Sequence, residues 1–103
     1  MKDSIVIDMD YAAYDIIDGS PAEHRHHVFE GTADRIKSDE DGLWVPLTQE
    51  HHEGKLSVHH NKEIRNLMHI VGQLAWEKNR VAAGATEKEA REMFRKRYKK
   101  SYL

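Results

Sequence analysis

The chain has 103 residues, 39% of them hydrophobic, which suffices for one small domain. No apolar run approaches the roughly 20 residues that a membrane span needs, and the first residues lack the pattern of a signal peptide. We therefore expect a cytoplasmic protein with no membrane partner. The sequence contains no cysteine, which excludes disulfides and thiolate zinc sites and leaves histidine and carboxylate as the metal ligands.

The charge is divided unevenly along the chain. Residues 1–60 contain 5 Lys and Arg against 13 Asp and Glu, a balance of −8, whereas residues 61–103 contain 11 against 5, a balance of +6. An acidic surface on the first part would repel phosphate unless a bound cation offset it. Contact with DNA is therefore expected only through the basic C-terminal helix.

Runs of β-branched and aromatic residues predict three strands in the first part of the chain. These are residues 4–9, the stretch around His26, and residues 43–47, where Pro46 indicates an edge or the end of the strand. Residues 10–18 fit either a strand or a short helix. The polar residues 31–42 predict a loop or a single helical turn, followed by a turn.

Helices dominate the rest of the chain. Thr48 and Gly54 bound a short predicted helix. Residues 61–79 carry a stripe with the 3.6-residue period of a helix, formed by Ile64, Leu67, Met68, Val71, Leu74 and Ala75. Residues 86–98 begin with a capping box and carry the apolar residues Ala90, Met93 and Phe94. The fold class is therefore α+β in a single domain, with a β-rich part over 1–60 and a helical part over 61–103.

Histidines are concentrated in the β-rich part: the chain has eight, and seven of them lie between positions 24 and 60. Divalent transition metals favour neutral imidazole, held by three or four ligands. His26 on a strand, His52 in a short helix and His59 in the following loop form a suitable set. Surface histidines without a metal are the alternative, but seven within so short a stretch favour a metal, and imidazole ligands favour zinc over magnesium.

The full ligand set stays open among the clustered histidines, which are His24, His26, His51, His52, His59 and His60. Glu23, Glu50 and Glu53 are candidates for a fourth ligand or for groups that orient the ligands. His69 lies on the helix over residues 61–79, away from its apolar stripe, and we interpret it as a partly exposed residue outside the cluster.

His27 follows His26 on the same predicted strand and therefore points to the opposite face. From there it could accept a proton from a water molecule that attacks a phosphodiester, while a metal stabilises the charge that develops on the phosphate. The alternative is a histidine that is simply hydrogen-bonded within the strand. The residues alone do not separate the two.

Several segments resemble small phage and prophage proteins of the HNH type. They are His26–Gly31 (HHVFEG), Arg35, Gly42–Leu47 (GLWVPL), His51-His52, Val58-His59 and the closing Lys100–Leu103 (KSYL), and the resemblance covers roughly residues 11–103. It implies a small ββα-metal element followed by two C-terminal helices. It also implies that His26 and His52 are metal ligands, that His59 is a third ligand, and that His27 is the general base.

The chain departs from the pattern of this family in its zinc knuckles. Relatives carry two Cys-x-x-Cys pairs, whereas this chain has Tyr-Ala-Ala-Tyr at residues 11–14 and Thr-Gln-Glu-His at residues 48–51. We expect the structural zinc of the family to be lost and Tyr11 and Tyr14 to fill its place by aromatic packing. The asparagine of the HNH motif is not identifiable.

These departures, and the acidic metal-bearing part, favour a zinc-binding protein on a degenerate HNH scaffold. It would act by binding a host protein or nucleoprotein, such as a CRISPR effector in the manner of an anti-CRISPR inhibitor. The alternative is a metal-dependent endonuclease that uses His27 as the base and works with Zn²⁺, Mg²⁺ or Mn²⁺. A further possibility is a structural zinc module in a larger assembly.

Overall fold

Two short strands and four helices make up the computed structural model, which describes residues 1–103. In chain order they are β1 (His24–His27), α1 (Thr32–Asp41), β2 (Trp44–Leu47), α2 (Gln49–Glu53), α3 (Lys62–Ala82) and α4 (Glu87–Tyr98). A short 3-10 helix, Met9–Tyr11, precedes them. The α+β class predicted from the sequence is confirmed, as are the two C-terminal helices.

The sheet consists of β1 and β2 alone, paired antiparallel, with His26 opposite Val45 and His27 opposite Trp44. All four residues of β2 are buried. The predicted edge position of Pro46 is confirmed, since β2 has a single neighbouring strand. The N–H of Ile16 donates to the Pro46 carbonyl at 3.0 Å, so the N-terminal segment covers this edge.

The predicted strand over residues 4–9 is wrong, because this segment has no partner for a ladder of hydrogen bonds. It is attached by single contacts instead: the Ser4 hydroxyl donates to the Trp44 carbonyl at 2.7 Å, and the Ile5 N–H donates to the Gly42 carbonyl at 2.9 Å. The predicted packing of Tyr11 and Tyr14 is also wrong, since these side chains are 64% and 48% exposed. Residues 10–18 form part of the 3-10 helix and turns.

Residues 31–42, predicted as a loop with at most one helical turn, contain the complete helix α1. Its single large apolar residue, Ile36, is 56% exposed. The segment therefore lacks the apolar stripe by which a sequence pattern predicts a helix. Polar bonds hold it in place. The hydroxyl of Ser38, which is fully buried, bonds the backbone N–H and carbonyl of Phe29, and the Asp41 carboxylate accepts bonds from α3 and α4.

The other helices begin where the caps predict. Thr48 caps α2, the Asn61 side chain accepts from the Ile64 N–H, and Thr86 forms the capping box of α4. Helix α3 runs to Ala82, three residues beyond the predicted end at position 79.

The buried face of α3 differs from the predicted stripe. Leu67 and Leu74 are about half exposed, and Met93 on α4 is 41% exposed. The buried residues of α3 are Met68, Gly72, Gln73, Trp76 and Glu77. At Gly72 the helix passes so close to Val28 that an added Cβ would lie 2.4 Å from its Cγ1. The absence of a side chain at Gly72 therefore allows this face of α3 to pack closely against Val28.

The core lies between the sheet and the two long helices. It combines apolar residues that follow β1, residues of β2, and aromatic side chains of α3 and α4; its members are Val28, Phe29, Leu43, Val45, Leu47, Val58, Met68, Trp76, Phe94 and Tyr98. Because the apolar residues follow the histidines of β1 directly in sequence, packing of the core fixes the position of the histidine cluster.

Candidate metal centre

Three separate elements bring His26, His52 and His59 together. His26 is on β1, His52 is in α2, and His59 lies in the loop between α2 and α3. One ring nitrogen from each lies within 4.8 Å of the others. His26 is buried, His52 is partly buried and His59 is exposed, so the group, called here the histidine triad, opens to the surface on one side.

The local sequence explains why the triad converges. Alternation along β1 turns His26 inward, and the Thr48 cap starts α2 immediately after β2. Val58 is fully buried, and its N–H donates to the His51 carbonyl at 2.9 Å. The loop is thereby folded back on α2, which places His59 beside His52.

The spacing of the nitrogens suits a tetrahedral ion. The Nε2 atoms of His52 and His59 lie 3.3 Å apart. Zinc–nitrogen bonds of about 2.0–2.1 Å in a tetrahedron place two ligand nitrogens roughly 3.3 Å apart. The ring centroid of His26 lies 5.5 Å from the ring centroid of His52 and 5.3 Å from that of His59. Three imidazoles in this arrangement could hold a metal ion.

The environment of His26 and His52 favours the neutral imidazole, which is the form that binds metal. Burial, together with the proximity of His52 and His59, lowers the pKa of His26 to about 3. Burial also lowers the pKa of His52. Two neutral donors are therefore available throughout the neutral range of pH.

Glu30 is a member of the site that sequence reasoning missed. One of its carboxylate oxygens lies 3.6 Å from a ring nitrogen of His26 and 3.6 Å from Nδ1 of His59. A carboxylate on the far nitrogen of a ligand orients the ring and increases its basicity. The sequence carries no clear signal for this contact, because a spacing of four residues brings side chains together on a helix but not on a strand such as β1. Of the predicted carboxylates, Glu53 lies 3.9 Å from Nδ1 of His52, and Glu23 instead accepts from the Gln49 N–H.

His27 points away from His26, as the strand alternation predicts. Its Nε2 lies 3.1 Å from the Asp39 carboxylate on α1. Because an ionised carboxylate only accepts hydrogen bonds, Nε2 carries the proton and Nδ1 is left as an acceptor. His27 also lines a cleft of about 360 Å³ together with Arg25, Phe29, Glu30, Gly31, Arg35, His52 and His59. The cleft thus joins two triad members to a possible base and two arginines.

The remaining histidines have other partners. His24 stacks on His52 at 4.6 Å between centroids and bonds the Gln49 side chain. His51 bonds the buried Asp15, and His60 is exposed. His69 packs between Phe29 and Tyr102 and is partly buried, in line with its predicted place outside the cluster.

A second group of potential ligands, Asp15, Asp18 and His51, is close enough to hold an ion. The Asp15 carboxylate, however, is already fully bonded. One oxygen accepts from the N–H groups of Ile17 and Asp18, and the other accepts from the Thr48 N–H at 2.6 Å and from His51 at 2.8 Å. Burial alone would raise the pKa of Asp15, but these bonds together lower it. We therefore interpret this group as a structural clamp.

Comparison of the chain with family models, with curated proteins and with solved structures found no match. None of the helices combines the length and the apolar character that crossing a membrane requires.

Proposed function

We propose that this protein binds zinc through His26, His52 and His59 on a ββα-metal, HNH-like element. The observation that carries the proposal is the convergence of three imidazole nitrogens within 4.8 Å. The antiparallel order of β1 and β2, followed by a helix that contributes a ligand, also supports the HNH-like assignment. The phage-type origin is proposed on the sequence resemblance alone.

Zinc titration against a chromophoric chelator tests this proposal. The His59→Gln variant should lose at least about 10-fold in zinc affinity, because a tetrahedral site that keeps two imidazoles is incomplete. His60→Gln is the matched control, since His60 is the adjacent exposed histidine outside the triad. Equal affinity in both variants would contradict the proposed ligand set.

Among the candidate activities, the arrangement of the triad and the adjacent cleft best supports a metal-dependent endonuclease. Structural zinc sites are closed by four protein ligands, whereas catalytic sites have three and an open position. The triad has three and opens into the cleft that contains His27. In that cleft the metal would act as a Lewis acid toward the phosphate.

Residues of the cleft would supply the general base and the contacts to the phosphate. Asp39 holds the His27 ring through Nε2, which leaves Nδ1 to accept a proton from water. Arg35 forms no ion pair in the structure, and Arg25 is held by stacking on Trp44 at 4.4 Å. Their guanidinium groups suit the oxygens of a phosphodiester.

A plasmid-nicking assay with Mg²⁺, Mn²⁺ and Zn²⁺ tests the endonuclease. Cutting by the parent protein and its loss by about 100-fold or more in His27→Ala are expected, since general-base catalysis contributes on this scale. His60→Ala serves as the control, because His60 is exposed and lies outside both the triad and the cleft. Absence of cutting in every metal would reject the endonuclease.

The second candidate is a protein that binds a host protein or nucleoprotein, such as a CRISPR effector. A specific surface supports it: Tyr11, Tyr14 and Ile17 are exposed close in sequence to the acidic Asp8, Asp10 and Asp18. Exposed tyrosines are frequent at protein interfaces, and the negative charge would select a basic partner. Metal-dependent cutting that is abolished in His27→Ala would reject binding as the sole function.

A further inference from the structure

A cleft on a different part of the surface is lined almost entirely by cations. It has a volume of about 560 Å³ and lies where α1, α3 and α4 meet; its lining residues are Lys37, Trp76, Arg80, Met93, Lys96, Arg97 and Lys99. Five of these seven side chains are basic and none is acidic. We refer to it as the basic cleft.

The cations of the basic cleft fall into two groups. Arg97 is held by the Asp41 carboxylate at 2.6 Å and by Glu40 at 3.5 Å, and Lys37 donates to the Arg97 carbonyl at 2.8 Å. These two residues join α1 to α4. Lys96 and Lys99 are exposed and form no ion pair. Their charges are therefore available to a partner.

Arg80 adds a third available cation with a fixed orientation. Its guanidinium lies over the ring of Trp76 at 4.7 Å from the centroid. Its Nε is buried and has no hydrogen-bond acceptor in the protein. A buried N–H without an acceptor is unfavourable. Arg80 also lines the cleft and makes no ion pair, so its positive charge is available to an anion there. Stacking also fixes the planar donor group before any ligand arrives.

The chemistry of the cleft favours a polyanion over a protein partner. Protein interfaces depend on buried aromatic and apolar anchors, whereas the one half-exposed apolar side chain here is Met93. The lining of the cleft also argues against single-stranded nucleic acid, because proteins bind single strands by stacking the bases on exposed aromatic rings. Trp76 is only 3% exposed, and Arg80 covers it.

We propose that the basic cleft binds the phosphate backbone of double-stranded DNA without reading its sequence. Flexible lysines and a stacked arginine make contacts of this kind to phosphate oxygens. The acidic part of the chain, at −8 over residues 1–60, would turn the basic part toward the duplex. This DNA contact rests on the proposed function in so far as that function acts on nucleic acid, but it requires neither zinc nor catalysis.

Fluorescence anisotropy with a short labelled duplex of mixed sequence tests the proposal on the full chain. The double variant Lys96→Gln/Lys99→Gln should bind about 10-fold more weakly. The slope of log K against log salt should become less steep by roughly 1.8, because each phosphate contact contributes about 0.9. Arg80→Gln should weaken binding in the same direction.

Lys62→Gln/Lys78→Gln is the matched control, since it removes two exposed lysines of α3 outside the cleft. It should stay within about 2-fold of the parent, as general attraction alone changes little at moderate salt. An equal loss in both double variants, or tighter binding of single-stranded DNA, of an acidic polypeptide or of anionic vesicles, would overturn the proposal.

His59→Gln separates this inference from the proposed function. It should lose zinc affinity and retain duplex binding, whereas the Lys96→Gln/Lys99→Gln variant should lose duplex binding and retain zinc affinity. Loss of duplex binding in His59→Gln would show that the DNA contact depends on the metal site and would contradict the assignment to the basic cleft.

Discussion

His26 and His27 are adjacent in sequence and have opposite environments. His26 is buried among other imidazoles, while His27 bonds a carboxylate on α1 at 3.1 Å. Strand alternation made this separation predictable from the sequence. The partner Asp39 was not predictable, because it comes from a helix that the hydrophobic pattern does not reveal.

The pKa of His26 makes the metal-free protein sensitive to acid. Its pKa is about 3 in the folded state and about 6.5 in the unfolded chain. Between these values the unfolded state binds the proton and the folded state does not. The free energy of unfolding therefore falls as the pH decreases from about 6.5 toward about 3. The depressed pKa of His52 acts in the same direction.

Urea unfolding in the presence of a chelator, at about pH 7.5 and about pH 5, measures this effect. A His26→Asn variant should show a clearly smaller loss of stability between the two values, and His60→Asn should behave as the parent does. An identical loss in all three proteins would show that His26 is not the group responsible.

At the level of elements, α1 shows what hydrophobic periodicity cannot detect. Its inward contacts are made by Ser38 and Asp41, two residue types that patterns assign to turns. The helices with caps and apolar residues, α3 and α4, were predicted to within a few residues at their starts. The inward face of α3 was not, since close packing of Gly72 on Val28 outweighed the leucine stripe.

Asp41 is the residue on which the docking of α1 depends. One of its oxygens accepts from Trp76 at 2.9 Å, from Arg97 at 2.6 Å and from Tyr98 at 2.7 Å. Asp41→Asn removes the charge that pairs with Arg97, which keeps only its 3.5 Å contact with the exposed Glu40. It also weakens three hydrogen bonds to one oxygen, so we expect a loss of about 1–3 kcal/mol in the free energy of unfolding.

Chemical denaturation measures that loss, with Asp34→Asn on the same helix as the control. Asp34 contacts Lys37 only at 3.9 Å on the surface, and its replacement should change stability by less than about 0.5 kcal/mol. Comparable effects of the two substitutions would mean that α1 is held by its charge as a whole rather than by Asp41.

For the whole molecule, composition predicted a division into an acidic part with the histidines and a basic helical part. In the structure the basic cleft crosses this division, because Lys37 from the first part lines it beside Lys96 and Lys99. The histidine triad was predicted from crowding of one residue type. The selection of these three from eight depends on the fully buried Val58, which folds the loop back on α2. Sequence reasoning named these three ligands, but it did not predict the hydrogen bond from Val58 to His51 that holds the loop.

Because the triad joins β1, α2 and the following loop, zinc should stabilise the entire fold. Binding to the folded state alone adds about 2.7 kcal/mol at a free zinc concentration of 100 times Kd. For a chain of this size that corresponds to a rise in Tm on the order of 10 °C. Thermal unfolding followed by circular dichroism should show the rise in the parent and its absence in His59→Gln; an equal rise in both would place the zinc elsewhere.

The clamp around Asp15 has a consequence for how long a bound ion would stay. Helix α2 has only five residues, and Asp15 fastens its start through the Thr48 N–H and His51. The residence time of the ion should therefore depend on a side chain that does not touch it. In Asp15→Asn, stopped-flow transfer of zinc to a chelator should become several-fold faster, with all three ligands intact. An unchanged transfer rate would mean that α2 keeps its place without the clamp.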